Sequence, residues 1–204
     1  MKIVVIGGTG MVGARVVAEA RARGHDVIIA ARKAGPGVVQ VDATDAAALA
    51  GAARGAAVII SAAAPRSGGD PAIEAMAVAV AAARVAADQN ARLIIVGGAG
   101  STTLPDGSDL LDSFPPAYAA YIPEAKALRA VREFLRASAA NWTFFAPAAQ
   151  IAPGPRTGQY RTGDGRMVAD ADGNSTISAE DFAVALLDEV ETPKALRVVQ
   201  SVGY

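Results

Sequence analysis

The sequence predicts a doubly wound α/β fold: a mainly parallel sheet with helices on both faces and a small C-terminal cap. Three observations carry this. Short β-branched runs are apolar at every position, as strands buried on both faces must be. Longer alanine-rich segments, with the length of crossover helices, separate most of them. The two kinds alternate along 204 residues with no linker between them, so a single domain, 1–204, is expected.

In chain order, residues 3–6, 27–31, 38–41, 58–61, 93–96 and 143–146 read as strands. Residues 11–23 set Val12, Val16 and Ala20 on one stripe and Arg15, Glu19 and Arg23 on another, which is an amphipathic helix ended by Gly24. Residues 45–53 read as a shorter helix, and Pro71–Asp88 opens with proline in its first turn. In residues 123–137, Leu128, Val131 and Leu135 share a stripe that Lys126, Arg129 and Arg132 avoid. Beyond Pro147, glycine and proline punctuate two short polar strands before a last helix, Ala179–Glu191, and a last strand, 196–199; this stretch is the expected cap.

Composition narrows the partners. Hydrophobic residues make up 52% of the chain but aromatics only 5%, so small side chains must let the elements approach closely. A formal charge of −1, with acids and bases interspersed, provides no field for nucleic acid or anionic lipid. No apolar run is long enough to span a bilayer, and residues 3–6 stop at glycine rather than extending into a leader, which predicts a cytoplasmic location. Asp164, Asp170 and Asp172 lack the spacing of a calcium loop, and no metal site is expected. The alanine-rich faces of the third and fourth helices suit either a homodimer or the chain's own sheet.

The most informative motif is Gly7-Gly8-Thr9-Gly10-Met11-Val12-Gly13, set between the first strand and the first helix. Glycine is needed in such a turn for a positive φ, for backbone to approach a pyrophosphate without a Cβ in the way, and for a close strand–helix contact. The N–H groups that open the helix then face the anion, aided by the helix dipole. Placed between a buried strand and an amphipathic helix, the motif marks a dinucleotide site. At the end of the second strand, where an NAD site usually carries an acid, the sequence has Arg32 and Lys33. Arginine there accommodates a 2′-phosphate, so NADP(H) is expected over NAD(H), with Arg32 the main contact and Lys33 secondary.

The glycine turn, Arg32, Val41-Asp42-Ala43, Ile60-Ser61-Ala62-Ala63-Ala64, Val96-Gly97-Gly98-Ala99-Gly100-Ser101 and the later Phe144-Phe145-Ala146-Pro147 and Ile177-Ser178-Ala179-Glu180-Asp181 together resemble the atypical short-chain dehydrogenase/reductases. Within them, the match is to the NAD(P)H-binding group with NmrA-like and flavin-reductase-like members. The resemblance implies a Rossmann fold, with Asp42 and Ala43 beside the adenine and Ala62, Ala63 and Ala64 under the central riboses. It also implies that Gly97, Gly98 and Ser101 line the nicotinamide end, with Pro147 near the carboxamide. Asp42 is equally consistent with a helix cap formed with Thr44 and Asp45.

The typical members of that superfamily pair a tyrosine with a lysine four residues later. Here Lys126 has Ile122 in that position, and Tyr118 and Tyr121 both miss the spacing. Because Pro123 separates Tyr121 from the helix, Tyr121 would have to reach the site from a loop. Ser101, Tyr121 and Lys126 are the catalytic candidates, Ser101 reading equally as a turn serine. His25, in a helix-to-strand turn, and Trp142, opening the sixth strand, read as structural. The missing pair favours an NADPH-dependent oxidoreductase acting on a small-molecule acceptor, such as a flavin or quinone, that takes a hydride without a dedicated protein acid. A non-catalytic NADP-sensing regulator is the alternative. A nucleotide-sugar epimerase or dehydratase is a third reading, with the tyrosine–lysine pair against it.

Overall fold

The computed structural model describes residues 1–66 and 68–204. Seven strands lie parallel in the order β3-β2-β1-β4-β5-β6-β10, and an eighth, β8, closes one edge antiparallel. They are β1 (Lys2–Ile6), β2 (Asp26–Ala31), β3 (Val38–Gln40), β4 (Val58–Ser61), β5 (Arg92–Val96), β6 (Asn141–Pro147), β8 (Arg161–Gly163) and β10 (Val198–Gly203). The order reverses between β1 and β4, where the crevice of a doubly wound sheet lies at the strands' carboxyl ends. Two further strands, β7 (Gln150–Ala152) and β9 (Thr176–Ser178), pair with each other.

Successive side chains of a strand point to opposite faces, so a strand apolar at every position serves two cores. In β1, Val4 and Ile6 join one core while Ile3 and Val5 join the other. The first core packs under α2 (Ala46–Ala52), α3 (Pro71–Asp88) and α4 (Ile122–Arg136), where Ala79, Ala82, Ala83 and Ala86 let α3 lie close to the sheet. The second packs under α1 (Met11–Ala22) and α5 (Ala179–Glu191), with Phe145 and Phe182 meeting edge to face at 5.3 Å.

The tail joins the sheet more fully than the expected small cap does. Its last strand runs Val198–Gly203 and sits inside the sheet between β6 and β8; three short strands, not two, precede it. A polar strand is tolerated there because the buried Ser201 hydroxyl is bonded to the carbonyls of Gly163 (2.8 Å) and Arg166 (2.5 Å). The face of α1 that carries Glu19 is covered by α5 and the tail, and the Glu19 carboxylate pairs with Arg23 and Arg156, each at 2.8 Å. No helix among the described residues is long and apolar enough to cross a membrane.

Candidate functional site

The turn after β1 is built on backbone. Gly7 has φ +73°, and a Cβ there would come within 2.8 Å of the Ala62 carbonyl; at Gly13 a Cβ would come within 2.2 Å of the Gly7 oxygen, so α1 rests directly on the turn. Gly8 is similarly hemmed in by Ile29 and Val17. Gly10 differs. Its φ is −78°, it is exposed, and its nearest neighbour would be 3.4 Å from a Cβ. The protein's own packing therefore does not require glycine at position 10, and the absent Cβ leaves this backbone open to solvent.

Gly10 is also the residue preceding α1, so no side chain caps the helix, and its first turn holds no acid. Thr9, Gly10 and Met11 are exposed, and Met11 and Val12 open the helix with their N–H groups ahead of its first internal bond, Ala14 N–H to the Gly10 carbonyl at 2.9 Å. These residues fit the pyrophosphate of a dinucleotide.

Arg32 and Lys33 stand exposed just past β2, with no carboxylate in ion-pair reach among the described residues; the amide of Gln40 donates to the Arg32 carbonyl at 3.1 Å. Asp42 is exposed and turns back on Thr44, accepting from its N–H (3.0 Å) and hydroxyl (2.8 Å), which holds its carboxyl below the ordinary value. The cap of α2 is Asp45 instead, bonded to the N–H groups of Ala47 and Ala48. Ala43 is buried.

At the other side of the crevice, Ala62 and Ala63 are half-buried and Ala64 exposed. A Cβ at Gly97 would strike the Phe144 ring at 2.0 Å, and Gly98 lies against Leu128. Pro147 is buried beside Val202 at the end of β6. Ser101 is 1% exposed; its hydroxyl has no partner among the described residues, and its carbonyl accepts from Arg132 at 2.6 Å. Tyr121 is 57% exposed at the end of a 3-10 turn, Pro116–Tyr121, and Lys126 is exposed on α4. Of the three catalytic candidates, Ser101 is therefore beneath the surface, while Tyr121 and Lys126 are exposed.

His25 bridges the amino terminus (3.3 Å) and Glu191 (2.9 Å), and Trp142 is buried in the first core, both structural as expected. Sequence reasoning missed the clasp between Arg66 and Glu124, two parallel bonds of 3.0 and 3.2 Å that join the loop after β4 to the start of α4. It also missed the row of Phe114, Tyr118 and Tyr121; the signal was present, since three of the chain's ten aromatics fall within eight residues. Two shallow depressions open elsewhere, one between Arg15, Glu19, Arg156 and Glu180, the other along Gly154, Thr157, Ser178 and Tyr204. The site at the strand ends is identified by its backbone geometry.

A family model described as NAD(P)H-binding matches residues 7–193. Among solved structures, a Burkholderia pseudomallei protein named as a candidate exported protein is 40% identical, with a TM-score of 0.90 and all of both chains covered. A candidate epimerase from Bacteroides thetaiotaomicron is 34% identical (TM-score 0.88; 100% of this chain, 96% of that one). A candidate NADH-flavin reductase from Streptococcus pneumoniae is 28% identical (TM-score 0.89; 100% and 99%).

Proposed function

We propose that this chain, which belongs to the NAD(P)H-binding family, is an NADPH-dependent oxidoreductase that passes a hydride to a flavin, a quinone or a similar small acceptor. The observation that carries the reading is Gly10: a glycine with room for a side chain, at an uncapped helix start, in the path of a pyrophosphate. Arg32 and Lys33, both exposed and neither in an ion pair among the described residues, support NADPH over NADH, the guanidinium being suited to two parallel bonds with a 2′-phosphate. When bound, the reduced nicotinamide supplies the hydride. The acceptor takes that hydride together with one proton from water and leaves as its dihydro form, while the cofactor leaves as NADP+.

The chain's residues bind and orient in this scheme rather than donate a proton. Residues 7–13 hold the phosphates, Ala62, Ala63 and Ala64 leave room for the riboses, and Gly97 and Gly98, packed against Phe144 and Leu128, present backbone to the nicotinamide end. The absence of a tyrosine four residues before Lys126, with Ser101 buried, favours an acceptor that needs no protein acid, and it weighs against the epimerase suggested by the Bacteroides relative. A protein drawing on NADPH works where that pool is kept, which supports the cytoplasm.

The test is a titration with NADPH and NADH, followed by absorbance of the reduced nicotinamide after adding a flavin and then a quinone. Preference for NADPH by about tenfold or more, reduced to near parity in Arg32→Ser, with loss of absorbance on adding acceptor, is the expected result. Equal affinity for both cofactors overturns the Arg32 assignment. Tight binding with a flat trace points instead to a sensor of the cofactor, which the buried, unpartnered Ser101 hydroxyl would also suit.

A further inference from the structure

Two arginines of this chain are buried, Arg92 and Arg132. A guanidinium taken out of water has to be paired, and a buried pair adds little stability over apolar side chains of the same size; what it fixes matters more than what it contributes to folding. Arg92 opens β5 and ties the sheet to Glu189 of α5 and to the Ala195 carbonyl, at the end of the strand away from the crevice. Arg132 lies on α4, 7% exposed, and its guanidinium ends against the turn that follows β5, at the crevice end.

That turn is closed on itself: Ser101 N–H bonds the Gly98 carbonyl (3.0 Å), and the N–H and hydroxyl of Thr102 both bond the Ala99 carbonyl (2.9 and 2.7 Å). α4 packs on it through Leu128 and Ala125, each 3.1 Å from where a Cβ would stand on Gly98 and Gly100. Apolar contacts of this kind set a distance and no direction. Direction comes from Arg132. Its Nη1 donates to the Ser101 carbonyl at 2.6 Å, Nη1 and Nη2 reach the two carboxylate oxygens of Asp109 at 3.3 and 3.4 Å, and Nε goes to Glu133 at 2.8 Å. The residue after Asp109, Leu110, donates its N–H to the Thr102 carbonyl at 2.9 Å. One buried guanidinium and the segment it fixes thus grip two successive carbonyls of the turn.

We infer that Arg132, backed by Asp109, is a positioning residue for the nicotinamide end of the cofactor, acting through the Ser101 and Thr102 carbonyls on the backbone of residues 97–102. It touches no ligand. The inference rests on the cofactor site proposed above and adds the residue that keeps its second half in shape. The first turn is locked by backbone lying on backbone at Gly7 and Gly13, whereas the turn after β5, with glycine at 97, 98 and 100, keeps the freedom of a loop unless a side chain pins it. A displacement of about 1 Å there is enough to lose the orientation of a bound ring.

Adenosine 2′,5′-bisphosphate carries the adenine half of NADPH and lacks the nicotinamide, so the ratio of the two affinities isolates the end assigned to Arg132 without requiring turnover. Wild-type protein is expected to bind NADPH about tenfold more tightly than the bisphosphate and to enhance the fluorescence of the reduced nicotinamide. In Arg132→Met the bisphosphate should bind within about twofold of wild type, while the NADPH advantage falls to about twofold and the enhancement at saturation is lost. Arg132→Lys, which keeps the charge but not the fork, should recover part of both. Asp109 keeps Arg129 (3.2 Å) in the methionine variant, so its carboxylate is not stranded; urea titration checks the fold, and the lysine variant decides the ratio if the methionine variant unfolds. An unchanged ratio and enhancement overturn the inference, and so does an equal loss for both ligands, which is what a loosened fold produces. A wild-type protein with no preference for NADPH over the bisphosphate overturns it too. Failure of wild-type protein to bind either ligand defeats the cofactor reading and the inference with it, whereas binding of both with an unmoved ratio defeats the inference alone.

Discussion

Helices α1 and α5 lie side by side and run the same way, since Arg15 meets Glu180 at one end (3.0 Å) and Arg23 meets Asp188 toward the other (2.7 Å). Their N-termini are finished in opposite ways. The Ser178 hydroxyl caps α5 by accepting from Asp181 N–H at 3.0 Å, and Glu180 and Asp181 fill its first turn. The buried Asp181 carboxylate accepts from Thr157 N–H (2.8 Å) and hydroxyl (2.6 Å), Gly158 N–H (2.7 Å) and Tyr204 hydroxyl (2.7 Å). α1 has a glycine in place of a cap and no acid. Two parallel helices bring their positive poles together at one edge of the sheet. One pole is neutralised from within the chain, and the other is left for a charge from outside.

The largest expected effect comes from breaking the open pole. Gly13→Ala puts a Cβ within 2.2 Å of the Gly7 oxygen, and should cost about 3 kcal/mol of stability by urea titration and abolish NADPH binding. Gly10→Ala meets only a 3.4 Å contact; it should unfold within about 0.5 kcal/mol of wild type, yet bind NADPH about tenfold more weakly. Wild-type affinity in Gly10→Ala would mean that the open pole is not where the phosphates sit.

The closed pole should respond the other way. Asp181→Asn leaves donors facing an amide, and a loss of about 2–3 kcal/mol in urea stability is expected with NADPH affinity unchanged. The effect depends on pH with a definite sign. Burial alone would raise the Asp181 carboxyl, but the bonds from Thr157, Tyr204 and Gly158 outweigh it and hold the group below its ordinary 3.8. Its stabilisation is therefore complete above that value and is lost as pH falls through the lowered one. Glu19, brought from 4.5 to about 2 chiefly by the Arg156 bond against partial burial, with Arg23 adding to it, contributes a loss of the same sign on acidification. Wild-type stability should drop as pH falls from about 4.5 toward 2, and drop less steeply in Asp181→Asn. A parallel pH profile in the two proteins would remove Asp181 from the account. The smallest effect is Ser178→Ala, a lost cap worth about 1 kcal/mol in thermal or urea unfolding, again without change in cofactor affinity.

The two poles also differ in how far they were legible. The α1 turn is local: strand, glycines and helix follow one another, so their spacing carries the geometry. α5 was legible as a helix to the residue, from its serine and acids ahead of an apolar stripe, but the role of Asp181 was not. Its donors come from 23 and 24 residues away, in a stretch with no periodicity. The pairing of Glu19 was hidden for the same reason, because Arg156 arrives from 137 positions off. Strand β10 was shortened and read as part of a cap because Ser201 and Gly203 interrupt its apolar run, and only the carbonyls of Gly163 and Arg166 make a buried serine acceptable there. At the crevice the glycines were legible; the row of Phe114, Tyr118 and Tyr121 was not, since three rings in a proline-containing segment have no strand or helix period to mark a shared surface.

The position of β10 in the sheet has a consequence for synthesis. Strand β6 is flanked on one side by β5, made earlier, and on the other by β10, whose residues 198–203 come at the far end of the chain. Until they leave the ribosome, β6 has one bare flank of backbone donors and acceptors, and β8 has nothing to pair with. The nascent sheet is an unsealed edge for the whole time residues 148–197 are being added, and a holdase or fast synthesis of that stretch would protect it from joining a neighbouring chain.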